Sequence, residues 1–282
     1  TVKTISLSVN EDLSDEFDET VIFTLDSPTN ANLGGTVTHT TTIYDNDDPP
    51  LINFQMVSQS VSETVGTVNI KATLTAESAR GISAEYTVGG TAIKPVDPFQ
   101  DHDVFDGTLV FNPGDVEKLI VMTINDDSIP ELDETVVYSI TNTVNATIGA
   151  TNVHTLTIND NEAMPNVAFA LATSDWDEEV NNVVVLTVGI AEVTGSTVSV
   201  QYSVSGTATE PPDTFQDHTL YDGSIVFEAG QQQKTISFNI IDDALFEGSE
   251  NIAITLFNPV GLTLSTPSTH TVSVTDTDIA PT

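Results

Sequence analysis

An acidic loop recurs three times in this 282-residue sequence. The segment 126–134 reads DDSIPELDE and places five carboxylates in nine residues, directly after an apolar strand pattern. Related loops occupy 242–250, 116 residues later, and 11–19, 115 residues earlier. Carboxylate oxygens are the hard ligands that Ca²⁺ prefers, so these residue types at this spacing point to cation binding. The fixed period also predicts tandem repeats.

The charge balance narrows the range of partners. The 42 acidic residues outnumber 6 basic ones and give a formal charge of −36. Such a charge repels phosphate backbones and anionic lipids, so we expect no nucleic acid partner. No apolar run is long enough to span a bilayer, and we expect no membrane insertion. A solubilising or salt-adapted surface is the simpler explanation of the charge, whereas clustering at repeated positions favours bound cations.

Short strands between turn residues predict an all-β chain of tandem, seven-stranded, immunoglobulin-like sandwiches. We place the domains at 1–48, 49–164 and 165–282, the first being the C-terminal part of a repeat. In that first segment the alternation of Ile5, Leu7 and Val9 predicts a strand with these side chains inward. In the middle repeat we predict strands A to G at about 52–62, 67–75, 82–89, 107–112, 117–125, 135–141 and 152–159.

The incomplete first repeat predicts a partner. Three strands bury too little apolar surface to be stable by themselves. We therefore expect residues 1–48 to be completed by a neighbouring repeat or by an identical chain, as in a filament. The sequence, which begins at Thr1, is then expected to be a segment of a longer repeat array.

Strand direction predicts where the acidic residues meet. If seven strands alternate in direction, the A–B, C–D and E–F connections and the end of strand G share one end of the sandwich, which we name the acidic pole. Two like charges about 4 Å apart cost roughly 1 kcal/mol even in water, so carboxylates that converge there need cations. Their number and hardness favour Ca²⁺ over Mg²⁺ and over zinc, copper or iron. In the middle repeat the acidic residues in these four places are Glu63, Asp101, Asp126, Asp127, Glu131, Glu134, Asp160 and Glu162.

Taken together, these features resemble the Calx-beta family of calcium-binding, immunoglobulin-like domains, which occurs in sodium–calcium exchangers, integrin β4 and many bacterial surface proteins. The acidic loops and the acidic triplets after strand G contribute to the resemblance. Its other carriers are Gly90-Thr91-Ala92, Gly206-Thr207-Ala208, Asp101, Asp217 and the segment GTLVFNPG at 107–114. The resemblance implies several Ca²⁺ ions at the end of each domain.

The resemblance also implies the ligands. In the middle repeat they are the eight residues named above. In the third repeat the matching positions are Glu178, Asp217, Asp242, Asp243, Glu247, Glu250, Asp276 and Asp278. In the first segment they are Glu11, Asp12, Glu16, Glu19, Asp45 and Asp47. The central residue of the final triplet is Asn46, Asn161 or Thr277 where calcium-sensing members carry Asp, which implies fewer ions or weaker sites.

The function we predict is that of a calcium-binding structural repeat segment. We expect it to be part of a large bacterial surface protein, either an extracellular adhesin or a surface filament. In this role calcium would rigidify the interdomain junctions. The alternative is a calcium sensor whose interdomain geometry changes on ion binding. A ligand-binding adhesin tip is a third possibility, but no exposed aromatic cluster supports it. We do not expect an enzyme, because no nucleophile–base pair, phosphate loop or cofactor turn occurs, and the five histidines repeat at equivalent positions, as structural residues do.

Overall fold

The structure is a computed structural model that describes residues 2–95, 100–178 and 183–279. The chain forms two compact units, Thr1–Asp126 with Glu134–Asn159 and Asp127–Asp133 with Asp160–Thr282. The predicted all-β class is confirmed. In the described residues the only helical element is a 3-10 turn at Glu63–Val65.

Residues 2–48 contain one antiparallel strand pair, β1 (Glu19–Thr24) with β2 (Thr38–Ile43). The strand predicted around Ile5, Leu7 and Val9 is wrong, because these residues form no strand and are 66%, 44% and 57% exposed. A strand needs a hydrogen-bonded neighbour for its backbone. In the complete repeats the equivalent strand E pairs with strand B, and residues 2–48 contain no counterpart of B.

The middle repeat is a sandwich of two sheets, with strand orders β10-β3-β5-β8 and β4-β11-β9-β6-β7. Its strands are β3 (Leu51–Phe54), β4 (Ser58–Ser62), β5 (Thr67–Leu74), β6 (Ile82–Gly90), β7 (Gly107–Phe111), β8 (Glu117–Thr123), β9 (Glu134–Val144), β10 (Thr147–Ile148) and β11 (Val153–Asn159). Burial alternates along β5 and β8, so Val68, Ile70, Ile120 and Met122 face the core. Each such side chain contributes about 1.5–3 kcal/mol when fully buried.

Strand A is not the single strand predicted over 52–62. It divides at 55–57, so that β3 pairs with β5 in one sheet and β4 runs parallel to β11 in the other. His154 Nδ1 donates a hydrogen bond of 2.7 Å to Met56 O at the crossing. By changing sheets, strand A contributes to both: β4 is an edge strand of the second sheet, and β3 lies between β10 and β5 in the first. The sequence pattern could not show this, because both halves alternate with the same period.

The third repeat has the same topology, with strand orders β17-β14-β12-β19 and β13-β20-β18-β15-β16. Its strands are β12 (Asn166–Phe169), β13 (Thr173–Asp177), β14 (Val183–Ile190), β15 (Val198–Gly206), β16 (Gly223–Phe227), β17 (Gln233–Asn239), β18 (Glu250–Val260), β19 (Thr263–Leu264) and β20 (Thr269–Thr275). Its buried apolar cluster draws on residues 167–274 alone, and that of the middle repeat on residues 52–158 alone. Each complete repeat therefore has its own core.

Candidate metal centre

The third repeat brings three predicted ligands together. Asp217 between β15 and β16, Glu247 between β17 and β18, and Glu250 at the start of β18 each offer a carboxylate oxygen within 4.8 Å of the other two. Asp217 is buried, Glu250 is half-buried and Glu247 is exposed. The loops C–D and E–F therefore meet at one end of this sandwich, as the strand-direction argument predicts.

Backbone hydrogen bonds hold Asp217 in place. The Thr209 N–H donates to Asp217 Oδ2, and the Asp217 N–H donates to Thr209 O at 3.0 Å. The Asp217 carbonyl accepts from the Ile241 N–H at 2.8 Å. The middle repeat repeats this arrangement, with the Asp101 carboxylate accepting from the Ile93 N–H. In each complete repeat, a backbone N–H of the C–D loop thus holds one oxygen of this carboxylate and orients the carboxyl group at the pole.

The Gly-Thr-Ala motif positions Glu250. The Thr207 and Ala208 N–H groups donate to Asn251 O at 3.0 and 3.1 Å, and the Asn251 N–H donates to Thr207 Oγ1 at 2.9 Å. Gly206, with φ of 148°, allows this approach, since a Cβ there would lie 2.1 Å from Asn251 O. A side chain at position 206 would displace the residue that follows Glu250.

Asp276 is an anchor for the E–F loop. Its Oδ2 accepts hydrogen bonds from the Glu247 and Gly248 N–H groups at 2.6 and 3.0 Å, and its Oδ1 accepts from the Asp278 N–H at 2.7 Å. These donors, Gly248 foremost, lower the pKa of Asp276. The residue predicted as a ligand therefore also ties the end of strand G to the loop, a role that sequence spacing did not suggest.

Electrostatics show that all four acidic groups converge in this repeat. Burial raises the pKa of Glu178, which follows β13 and is only 3% exposed, to about 7. The charges of Asp276, Asp217, Glu247 and Asp243 add to that shift. Burial, with a hydrogen bond and charge repulsion from Asp217, likewise raises the pKa of Glu250 to about 7. A bound cation would therefore favour the ionised form of these carboxylates at neutral pH.

The donor set of this repeat fits Ca²⁺. Glu250 Oε2 and Asp278 Oδ2 are buried without a hydrogen-bond partner among the described residues. Buried carboxylate oxygens without donors are costly unless a cation binds them. The cluster offers oxygen atoms only, with no nitrogen or sulfur ligand. Asp217, Glu247 and Glu250 are the residues that would hold the ion, with the buried Glu178 near their charges, and Asp242 is not part of this cluster.

In the middle repeat, Glu63 in the 3-10 turn and Asp101 in the C–D loop are buried. Asp101 and Glu134 offer oxygens within 4.8 Å of each other, and Asp126 is exposed. These four predicted ligands belong to the first unit.

The remaining predicted ligands of the middle repeat belong to the second unit. Glu131 is buried and Asp127 is exposed, with Asp127 Oδ1 accepting from the Ile129 N–H at 2.7 Å. Asp160 and Glu162 offer oxygens within 4.8 Å of each other. Both Asp160 oxygens are buried without a hydrogen-bond partner among the described residues.

The first segment has two acidic groups at its pole. A cavity of about 100 Å³ is lined by the acidic loop and by the triplet after β2. Burial and then the charges of neighbouring carboxylates raise the pKa of Glu16 and of Asp47. Asn46, the central residue of the triplet 45–47, has an amide in place of a third carboxylate. Its Nδ2 donates a hydrogen bond of 2.8 Å to Glu11 Oε1, which stabilises that carboxylate. The cavity lining includes Glu11, Asp12, Glu16, Glu19, Asp45 and Asp47.

The histidines of the complete repeats have structural surroundings. His270 Nδ1 donates to Leu171 O at 2.7 Å, matching His154 in the middle repeat. His102 and His218 are buried and bridge to Ile124 and Ile240, beside the C–D loop aspartates. These contacts agree with the predicted structural roles.

The fold and the site together define a class, the tandem β-sandwich repeat with clustered carboxylates at one pole. The Calx-beta domain profile matches residues 45–162 and 160–278, and the chain belongs to the Calx-beta family. The family suggested by the motifs is thus confirmed, while the boundaries after residues 48 and 164 stay predictions. No helix in the described ranges is long and apolar enough to cross a membrane.

Similar proteins include parts of much longer chains. Sodium/calcium exchanger 1 of Rattus norvegicus is 25% identical over 177 residues, 56% of this chain and 18% of the exchanger. Adhesion G-protein coupled receptor V1 of Danio rerio is 28% identical over 278 residues, 91% of this chain and 4% of the receptor. The crystal structure of CBD12 from CALX1.2 is 22% identical with a TM-score of 0.36, covering 77% of this chain and 82% of that one.

Proposed function

We propose that this chain is a calcium-binding structural segment of an extracellular adhesin or surface filament, and that Ca²⁺ at the acidic poles rigidifies its interdomain junctions. The observation that carries the proposal is the cluster of Asp217, Glu247 and Glu250 within 4.8 Å, with a buried, unpartnered oxygen on Glu250. The rat relative is named for calcium exchange, which agrees with calcium as the ligand. We propose no catalytic role.

The junctions support a stiffening role. Residues 44–50 separate β2 from β3, and residues 160–165 separate β11 from β12. Both segments contain an acidic triplet that contributes predicted ligands, at 45–47 in the first and at 160–162 in the second. An ion held jointly by the E–F loop and by this linker would restrict the backbone dihedral angles of the linker. Such a restriction would remove conformational freedom worth about 1–2 kcal/mol per residue.

Calcium affinity separates the structural role from that of a sensor. Sensor sites bind Ca²⁺ at about 10⁻⁷–10⁻⁵ M, and extracellular structural sites at about 10⁻⁴–10⁻³ M. Asn161 and Thr277, which stand in place of a charged residue, favour the weaker range. Calorimetric titration with Ca²⁺, and separately with Mg²⁺, is the test. We expect millimolar-range calcium sites, and micromolar affinity would favour the sensor.

Matched variants test the site itself. We expect Glu250→Gln to weaken calcium binding at the third repeat by about tenfold or more, since it removes one ligand charge. Asp175→Asn removes the same charge from an exposed residue of β13 and should leave binding unchanged. Equal losses from both variants would show diffuse attraction to the acidic surface instead of coordination.

The first segment supports the proposal of a partner. Ile22, on the two-stranded pair β1–β2, is 64% exposed, and Ile5, which lies outside that pair, is 66% exposed, so apolar surface is left uncovered. We propose that a neighbouring repeat or an identical chain covers it. Analytical ultracentrifugation should then show self-association of the 282-residue chain. A monomer in which residues 2–48 resist hydrogen exchange would contradict completion from outside.

A further inference from the structure

The first acidic loop is joined to the connection between strands B and C of the middle repeat, within the first unit. The Ala79 N–H donates to Asp15 O at 3.0 Å, and Ser78 Oγ donates to the same carbonyl at 3.0 Å. Asp15 and Ser78 form an isolated parallel bridge. The segment 78–80 therefore binds the loop through its backbone, independently of the loop's predicted ligands.

A buried ion pair closes this joint. Asp15 is 2% exposed, and its Oδ1 lies 3.1 Å from Arg80 Nη1 while its Oδ2 accepts from Ser78 Oγ at 3.0 Å. The Arg80 guanidinium also stacks over the Phe17 ring at 4.3 Å from the centroid. Arg80 is the only arginine in the sequence. It lines a cavity whose other acidic residues are Glu16, Asp18, Asp45 and Asp47.

The second unit contains an equivalent joint without a charge pair. The loop Asp127–Asp133 meets the segment 194–196, where the Gly195 N–H donates to Pro130 O at 3.3 Å. The Leu132 N–H donates to Ser196 Oγ at 3.1 Å. Steps of 115 and 116 residues place Pro130 on Asp15, Gly195 on Ala79 and Ser196 on Arg80. The backbone bond is kept, while the ion pair is replaced by a neutral hydrogen bond.

We propose that segment 78–80 is a docking surface that binds the acidic loop of the preceding repeat without calcium, because Arg80 supplies the positive charge. Segment 194–196 is the equivalent docking surface whose binding depends on calcium. The calcium-dependent half rests on the proposed function. The partner in both cases is the E–F loop of a repeat of this family. The two joints of one chain thus respond differently to the same ion.

Charge chemistry separates the two surfaces. Arg80 supplies a positive charge to a loop that would otherwise repel itself, and the buried Asp15 keeps its counter-ion whether or not calcium is present. The segment Thr194–Ser196 offers no positive charge to the loop Asp127–Asp133. Bound calcium would therefore supply to that loop the positive charge that Arg80 supplies to the first one. Removing one partner of a buried pair is strongly unfavourable, because the other charge stays desolvated.

Hydrogen exchange by NMR reads each joint directly through one amide. With calcium, we expect both the Ala79 and the Gly195 N–H groups to be protected. In chelator, Ala79 should keep its protection while that of Gly195 falls by about tenfold or more. Loss of Ala79 protection in chelator to the same extent would overturn the inference.

Reciprocal variants exchange the two chemistries. Arg80→Ser should lower Ala79 protection in chelator by about a hundredfold. The double variant Pro130→Asp with Ser196→Arg places an Asp–Arg pair at the second joint and should preserve Gly195 protection in chelator. This second test does not depend on whether the Arg80→Ser variant folds. Lys118→Ser removes the same charge from a surface pair with Asp115 and should leave both amides unchanged.

The outcomes separate the two proposals. If calorimetry detects no calcium binding, the proposed function fails, whereas the Arg80→Ser effect on Ala79 still tests the ion-pair joint. If calcium binds but both amides respond alike in the unmodified chain and in the variants, the function stands and the docking inference fails. An unchanged Ala79 amide in Arg80→Ser would show that the backbone bonds alone hold the first joint.

Discussion

Substituting Glu178 by Gln should change stability in opposite directions with and without calcium. The carboxyl group is 3% exposed, and burial with four neighbouring carboxylates raises its pKa to about 7. In calcium, the substitution removes a predicted ligand and should destabilise the third repeat. In chelator above pH 7, it removes an ionised group that the fold disfavours and should stabilise the repeat.

The magnitude follows from the pKa shift. A rise from 4.5 to about 7 corresponds to roughly 3 kcal/mol of unfavourable ionisation, at about 1.4 kcal/mol per pKa unit. Because the folded-state pKa exceeds the unfolded one, this cost is absent below pH 4.5, grows between pH 4.5 and 7, and is complete above pH 7. A gain of this size corresponds to about 10 °C in Tm for a repeat of this size.

Scanning calorimetry at pH 8 and pH 4.5, in calcium and in chelator, measures these four conditions. We expect Glu178→Gln to raise Tm in chelator at pH 8, to have little effect in chelator at pH 4.5, and to lower Tm in calcium. Asp175→Asn, on the exposed face of β13, should shift Tm little in each condition. If Glu178→Gln lowers Tm equally in chelator and in calcium at pH 8, Glu178 has a packing role and the electrostatic reasoning is refuted.

Three further predictions concern the poles. Calcium affinity of the third repeat should fall as pH drops below about 7, because Glu178 and Glu250, with pKa values near 7, must lose their protons to bind the ion. The loss should reach up to about tenfold per pH unit for each displaced proton. Calcium titration at pH 6.0 and 7.5 measures this change. Gly206→Ala should weaken calcium binding at the same repeat, because the added Cβ would displace Asn251. Gly189→Ala is the control and should not weaken binding, since the nearest atom lies 3.6 Å from the added Cβ. Calorimetric titration compares the two variants. Asp127→Asn should weaken binding in the middle repeat alone, and two-dimensional NMR would localise the loss; chemical-shift changes on calcium addition that stay intact in both repeats would contradict it.

Much of the architecture could be predicted from periodicity. Alternating apolar residues identify the strands because one face of each strand packs against the core, and this requirement holds in both complete repeats. The same reasoning is wrong for Ile5, Leu7 and Val9. There the pattern is present but strand B, which should pair with it, has no counterpart in residues 2–48, so the backbone forms no ladder.

The candidate site was predictable in part. Strand direction places four connections at one end, which is why Glu178, Asp217 and Glu250 could be grouped from positions 39 and 33 residues apart. Spacing could not show that Asp276 accepts three backbone N–H groups, since that depends on the path of the loop around it. Nor could spacing distinguish Asp15 from the other carboxylates of its loop, because its pairing with Arg80 joins residues 65 positions apart in the chain.

The sequence by itself determined the residue types, the repeat period and the chemistry of the pole, because hard oxygen donors select hard cations wherever they meet. The tertiary structure decided which carboxylates are desolvated, which are bound by backbone N–H groups, and which one has an arginine for a counter-ion. Those properties depend on distances between segments far apart in the chain. The carboxylate at position 15 is buried and paired because segment 78–80 of the following repeat contacts it, while the carboxylates at positions 12 and 16 line a cavity.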